Sequence, residues 1–318
     1  MGWVLVVVIL VLAACGSADS VDDDGTLPTL ASLHTKTPSP TATLPPTATH
    51  TPAPTATPAR IWAEMSQAEV DHMLDSTPLM AHYGAHMREI AATGRELSRQ
   101  PDVVLAVGDC NTVSPYFLAP LVDDGLRLRS AGDAFVDDPV LSQTATYFTD
   151  SLAYRGQAAR IGLNAYAVMD AMWTDSAACQ PGESPLACDY RIRQPIAATI
   201  MFGANDVIGL SPAGYESALR DIIEYSIREG VIPILNTFPY RGDGEQPEKA
   251  RRMNAIIIAL SQEYRVPLVN YWRASQTLED YGLYPDNAHM LIAGFNERNR
   301  LTLYMLDYLR REVLAEQG

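Results

Sequence analysis

The chain predicts an α/β protein, a three-layer α/β/α sandwich around a doubly wound, mostly parallel sheet, over residues 61–318. Three observations carry the prediction. Short apolar runs recur as VVLAVG near 103, AATIMFG near 197, VIPILNTF near 231 and VPLVNYW near 266, continuous rather than alternating, as expected of strands covered by helices on both faces. Helical patterns stand between the later runs, at about 212–229 and 247–264, and a last one near 300–316 closes the chain. A strand, helix, strand order of this kind is what a parallel sheet with crossover connections requires.

The first sixty residues stand apart from that domain. MGWVLVVVILVLAACG is apolar from Trp3 to Ala14, too short to span a bilayer as a helix, and reads as a signal peptide over 1–14. Its end, Leu12-Ala13-Ala14-Cys15, has the form of a bacterial lipobox, which implies cleavage before Cys15 and lipidation of that cysteine. The stretch ahead of the apolar run has no Lys or Arg, a departure from the usual signal pattern. Residues 15–60 are rich in Thr, Pro, Ala and Ser (TKTPSPTATLPPTATHTPAPTATPAR) and carry too few apolar side chains to offset their ordering entropy. They form a spacer that at about 3.1 Å per residue reaches on the order of 100 Å. The expected location is the extracytoplasmic face of a cell membrane, with the domain tethered through Cys15. The chain's formal net charge of -15 argues against nucleic acid or an anionic membrane surface as a partner.

Within the domain, Ser66-Gln67-Ala68-Glu69 has capping-box spacing and starts a helix through about Leu74. A second helix is expected over about Leu79–Leu97, placing His82 and His86 on one face. That spacing suits a metal pair, but no third ligand lies nearby and a surface or interface pair is the expectation. In PAGYESALRDIIEYSIREGV, Tyr215, Leu219, Ile222, Ile223 and Ile227 recur at helical spacing and Gly230 supplies the stop. Trp173, among residues of helical pattern, is expected in the core. Four cysteines remain to be placed. Cys15 goes to the lipid, Cys179 and Cys188 bracket the turn-rich CQPGESPLAC and suit a disulfide outside the cytoplasm, and Cys110 is left unpaired.

Three motifs fall where ligands bind in such sheets, outside the carboxyl ends of the strands. They are Gly108-Asp109-Cys110-Asn111 after the 103 run, Gly203-Ala204-Asn205-Asp206 after the 197 run, and Asp286-Asn287-Ala288-His289 ahead of the last helix. In this order they resemble the GDSL or SGNH hydrolase family over nearly all of residues 100–318, and the resemblance implies its flavodoxin-like SGNH hydrolase fold. It further implies a nucleophile at 110, His289 as general base, Asp286 as the carboxylate that orients it, and Asn205 with a second-block glycine as oxyanion donors. Gly162, in ARIGLNAYAVMD, is favoured for that glycine because it opens a helical stretch; Gly156 is the rival. Asp109 and Asp206 are assigned to holding their turns by local hydrogen bonds. No metal or organic cofactor is implied.

The departure from the family pattern is Cys110 where serine belongs. A thiol beside an imidazolium and a helix N-terminus is expected to ionise more easily than a free one, giving a Cys-His-Asp site with acyl-transfer geometry. Expected substrates are carboxylic esters, such as short acyl groups on surface polysaccharide. The alternative is a carbohydrate- or lipid-binding lipoprotein in which Cys110 is a small hydrophobe in a relic site. Ser114 lies close in sequence as another hydroxyl nucleophile.

Overall fold

The computed structural model describes residues 60–121, 128–129, 135–136, 139–240, 246–286 and 289–315. The signal peptide, Cys15 and the spacer up to residue 59 lie outside the described residues, as do Asn287 and Ala288. The described part falls in one compact unit, Pro58–Gly318. Its main sheet has five strands in the order β1-β7-β6-β5-β2: β1 (Met80–Ala81), β2 (Gln100–Gly108), β5 (Pro195–Met201), β6 (Ile232–Asn236) and β7 (Leu268–Val269). β2, β5, β6 and β7 are parallel, and β1 closes the far edge antiparallel to β7. β3 (Leu128–Arg129) and β4 (Phe135–Val136) form a separate antiparallel pair.

All of β5 and β6 and the last six residues of β2 are buried, which is the physical reason those runs are apolar without alternation. The helices Pro212–Arg228 and Pro247–Tyr264 carry the chain from β5 to β6 and from β6 to β7. As right-handed crossovers they lie on one face, where Gln67–Ser76 joins them. Gly84–Glu96 and Ile292–Tyr308 cover the other face. The mostly parallel α/β/α architecture expected from the sequence is the architecture found.

The Ser66 box forms as expected. Glu69 N–H donates to the Ser66 hydroxyl at 3.3 Å, and Ser66 N–H donates to the Glu69 carboxylate at 2.8 Å. Four expectations need correction. Residues 79–83 are not helical, because Met80 and Ala81 pair with Val269 and Leu268, and Asn270 N–H donates to Leu79 O at 2.8 Å. The helix therefore starts at Gly84, and His82 and His86 share no helix face. His82 stacks on Tyr308 with centroids 4.1 Å apart, while His86 Nδ1 lies 2.8 Å from a Glu89 carboxylate oxygen. The last helix begins at Ile292 rather than near 300 and continues past Tyr308 as a π turn to Val313. Its early buried face carries Arg298 and Asn299, so the apolar period is broken where the helix meets the site. Gly162 opens turns rather than a helix, with single 3₁₀ turns at Ala167–Met169 and Ala171–Trp173. Trp173, in the second of these, is 48% exposed rather than in the core.

Candidate active site

β2 delivers the chain to Gly108, whose φ of +156° and close surroundings admit no side chain: a Cβ there would meet Met201 O and the Thr112 hydroxyl at 2.3 Å. Asp109 then caps a four-residue helix, Cys110–Val113, by accepting from Asn111 N–H at 3.1 Å. Cys110 is the first residue of that helix and is half-buried. The segment after Gly156 runs along the open side of the strand end: Gly108 N–H donates to Ala158 O at 2.9 Å and Arg160 N–H to Gly108 O at 3.2 Å.

The Asp286–His289 turn is brought to the same place from the other end of the chain. His289 Nδ1 lies 2.6 Å from Asp286 Oδ2, and His289 N–H donates to Asp286 Oδ1 at 3.1 Å. A carboxylate only accepts, so Nδ1 carries the hydrogen and Nε2 is left as the acceptor. Tyr284 N–H donates to His289 O at 2.9 Å, which closes the turn. Met290 N–H donates to Asn111 Oδ1 at 3.0 Å and so ties the histidine turn to the cysteine turn. Cys110, Asp286 and His289 share the wall of one cavity of about 450 Å³, with Ser114, Tyr116 and Phe295 among the other lining residues. Another cavity, of about 510 Å³, lies away from it, between Arg99 and Tyr225, and holds no nucleophile beside a base.

The electrostatics run against the expected easy ionisation of Cys110. Burial pushes its thiol up to about 11, and the carboxylates of Asp109 and then Asp286 add to the rise. Asp109 is itself fully buried, and burial pushes it up to about 6, opposed by the Asn111 N–H and the Arg298 charge. Burial, with Asp109 nearby, takes Asp206 up to about 7. Arg298 is driven down to about 9 by burial, and Asp109 holds it up. The thiol at rest is neutral.

Asn205 and Gly162 do not line the cavity with Cys110; they stand on two different loops. Asn205 Nδ2 donates to Leu163 O at 3.1 Å, and Ala165 N–H donates to Asp206 Oδ1 at 2.9 Å, so the turn after β5 is bonded directly to the Gly162 segment. Asp206 thus holds its own turn, through the Gly203 N–H, as expected, and also a neighbouring loop, through the Ala165 N–H; Asp109 is local as expected. Gly162 has φ +78° with open space where a Cβ would project, whereas a Cβ on Gly156 would strike the Asp189 carboxylate at 2.3 Å. Packing therefore accounts for the glycine at 156, and backbone conformation for the one at 162.

Nothing in the sequence singles out the residues that brace this site from below. Arg298, fully buried, donates to Asn111 O at 2.9 Å and to the Thr112 hydroxyl at 3.1 Å, and its guanidinium lies 3.6 Å from the Phe117 ring centroid. Asn299 donates to Tyr116 O and accepts from Leu118 N–H, each at 2.8 Å. Their only sequence signal is two polar residues on the inward side of an amphipathic helix. Cys179 and Cys188 form the expected disulfide, with Cα atoms 5.4 Å apart. Asp189, the next residue, accepts from Ala158 N–H at 2.8 Å. Among the described residues Cys179, Glu183 and Cys188 cluster as potential metal ligands, but two of those three donors are spent in the disulfide.

A half-buried cysteine on a strand-end turn and a histidine paired to a carboxylate share one cavity wall, with an asparagine on the next strand's turn, in an α/β fold. The profile of the GDSL-like lipase/acylhydrolase family matches residues 129–295, more than half of the chain. The protein belongs to that family and is an ester-cleaving hydrolase. The matched span contains Gly162, Asn205, Asp286 and His289 and begins after Cys110. No curated protein matches the sequence. Among solved structures, the chain is similar to the psychrotrophic esterase EstA from Pseudoalteromonas sp., at 11% identity over 64% of this chain and 96% of that one, with a TM-score of 0.44. It is also similar to a GDSL-like lipase from Bacteroides thetaiotaomicron, at 15% identity over 71% and 98%, TM-score 0.43. A third is the acetylxylan esterase Axe2 from Geobacillus stearothermophilus, at 15% identity over 64% and 93%, TM-score 0.40.

Proposed function

We propose that this chain is an exported, lipid-anchored esterase of the SGNH type that removes acyl groups from surface polysaccharide through Cys110, His289 and Asp286. The observation that carries the reading is the 2.6 Å His289–Asp286 pair in the same cavity wall as Cys110. Because the resting thiol is neutral, His289 Nε2 takes its proton as sulfur attacks the ester carbonyl, as it would from a serine. The tetrahedral oxyanion is directed to the Asn205 amide and to backbone N–H groups at Cys110 and Gly162. Collapse breaks the bond to the leaving oxygen, the imidazolium protonates that oxygen, and a thioester remains on Cys110. Water, deprotonated by His289, then attacks the thioester and frees the acid and the thiol. The lipobox at Leu12–Cys15 and the Thr/Pro composition of residues 15–60 support the tethered location.

A second reading stands beside it. A thiol raised to about 11 is a poor resting nucleophile, as in a carbohydrate- or lipid-binding lipoprotein with a relic site. Hydrolysis of a short activated acyl ester separates the two. Turnover that vanishes in Cys110→Ala and in His289→Ala but survives in Cys110→Ser supports the esterase. Turnover lost only in His289→Ala removes Cys110 as nucleophile in favour of direct water attack or Ser114, and no turnover in any form leaves the binding protein.

A further inference from the structure

Cys110 and His289 line the same cavity, so a carbon attacked by Cys110 sits at its wall. In the tetrahedral intermediate that carbon carries the Cys110 sulfur, the oxyanion, the leaving oxygen and the acyl substituent. The oxyanion turns toward Asn205 and Gly162, neither of which lines the cavity. The leaving oxygen has to come within hydrogen-bond reach of His289, because the imidazolium protonates it. Whatever is attached to that oxygen therefore enters the cavity whose wall contains His289.

We infer that this cavity is the leaving-group subsite and that it takes a neutral alcohol bearing a ring with an apolar face, with Tyr116 and Tyr284 as the residues that select it. The inference rests on the esterase reading above. Tyr116 is 53% exposed and Tyr284 49% exposed, yet both stand on fixed backbone. Tyr116 N–H donates to the Ser114 hydroxyl at 3.3 Å, its carbonyl accepts from Asn299, and its ring packs 5.8 Å from that of Phe295. Tyr284 is pinned by its bond to His289 O. Exposed aromatic rings on held backbone offer flat contact area at little conformational cost. Met290 and Ile292 continue the apolar wall.

Charge narrows the class. No Lys or Arg lines the cavity among the described residues, and Asp286 lies in its wall, so a phosphorylated or carboxylated alcohol meets a carboxylate with no cation to offset it. The volume of about 450 Å³ falls within the roughly 300–1,000 Å³ usual for small-molecule sites. A pyranose and an aryl ring share the required chemistry, a neutral ring with an apolar face.

The test holds the acyl group constant as acetyl and varies the alcohol on the full chain: ethyl acetate, benzyl acetate, a monoacetylated methyl glucopyranoside and its glucuronate counterpart. A second series holds benzyl alcohol constant and lengthens the acyl chain. The expected result is a kcat/KM for a ring alcohol at least tenfold above that for ethyl acetate, arising in KM, with the glucuronate ester the poorest ring substrate. Tyr116→Ala and Tyr284→Ala should each lower the ring-to-ethyl ratio about tenfold, and Tyr116→Phe should restore it. The stronger of the benzyl and glucopyranosyl arms identifies the ring. A ratio unchanged in both alanine variants, or discrimination that follows acyl length alone, overturns the inference. If wild type turns over none of the esters, the esterase reading fails separately. The subsite is then judged by calorimetric binding of benzyl alcohol and methyl glucopyranoside: binding that weakens in Tyr116→Ala sustains it, and equal or absent binding in both forms overturns it.

Discussion

Cys110 should react slowly with iodoacetamide at neutral pH and about tenfold faster with each unit of added pH. Only the thiolate is alkylated, and in the folded chain burial, Asp109 and Asp286 raise the thiol from its ordinary 9.0 to about 11. Two units lower the ionised fraction at pH 7 by about a hundredfold, so the rate constant should fall about a hundredfold below that of an unstructured cysteine peptide. The assay uses the chain with Cys15→Ser, unreduced so that Cys179 and Cys188 stay paired, which leaves Cys110 as the sole thiol. Mass increments followed from pH 6 to 10 give the profile. Asp109→Asn removes the nearer carboxylate while keeping an oxygen to cap Asn111 N–H, and should move the curve to lower pH. Fast alkylation that stays flat from pH 6 to 8 would mean a thiolate held by His289, and would refute the neutral-thiol mechanism.

Arg298→Met removes the donor to Asn111 O and Thr112 and strips Asp109 of its buried cation; a cost of about 3–5 kcal/mol is expected, and a urea melt showing less than about 1 kcal/mol would contradict that account. Asp206, raised to about 7 by burial, holds in the folded chain a proton that the unfolded chain releases near pH 4. Stability should therefore decline as pH rises from about 4 to 7, by ~4 kcal/mol at most. Asp206→Asn should flatten that decline, and a denaturation midpoint with the same pH slope as wild type would show that Asp206 is not its source. Opening the Cys179–Cys188 disulfide, whose cysteines are nine residues apart, should cost about 2.5 kcal/mol by loop entropy. A Cys179→Ser, Cys188→Ser chain melting with wild type would contradict this.

The parallel strands were legible in the sequence because their burial leaves no polar face, and the Ser66 box because capping is local chemistry. What escaped was non-local. Met80 and Ala81 carry no strand pattern of their own and are strand only because β7 offers them an edge. The start of the last helix was hidden because its buried face spends Arg298 and Asn299 on bracing the cysteine turn. Among candidate site residues, Cys110 could be placed because its motif follows a strand whose end was visible, and Asp286 and His289 because their three-residue spacing is a short-range pattern that does not depend on where the last helix starts. Asn111, which joins the two turns through Met290 N–H, is an unremarkable residue in sequence, and its role exists only once the chain ends meet.

The direction of the Cys110 shift has the same origin. A helix N-terminus lowers a thiol pKa through many aligned peptide dipoles, and the helix at Cys110 has four residues. Its Asn111 N–H donates to the Asp109 carboxylate at 3.1 Å, so the end that favours a thiolate already carries a buried acid, whose charge with burial outweighs the backbone N–H groups at Cys110 and Asn111. Arg298 offsets that acid from the far side, bonded to the carbonyl of Asn111 and the hydroxyl of Thr112 rather than to sulfur. The net field at position 110 therefore suits a nucleophile that stays protonated until the moment of attack. An alcohol meets that requirement as readily as a thiol, and Cys110→Ser is for that reason the substitution most compatible with retained turnover.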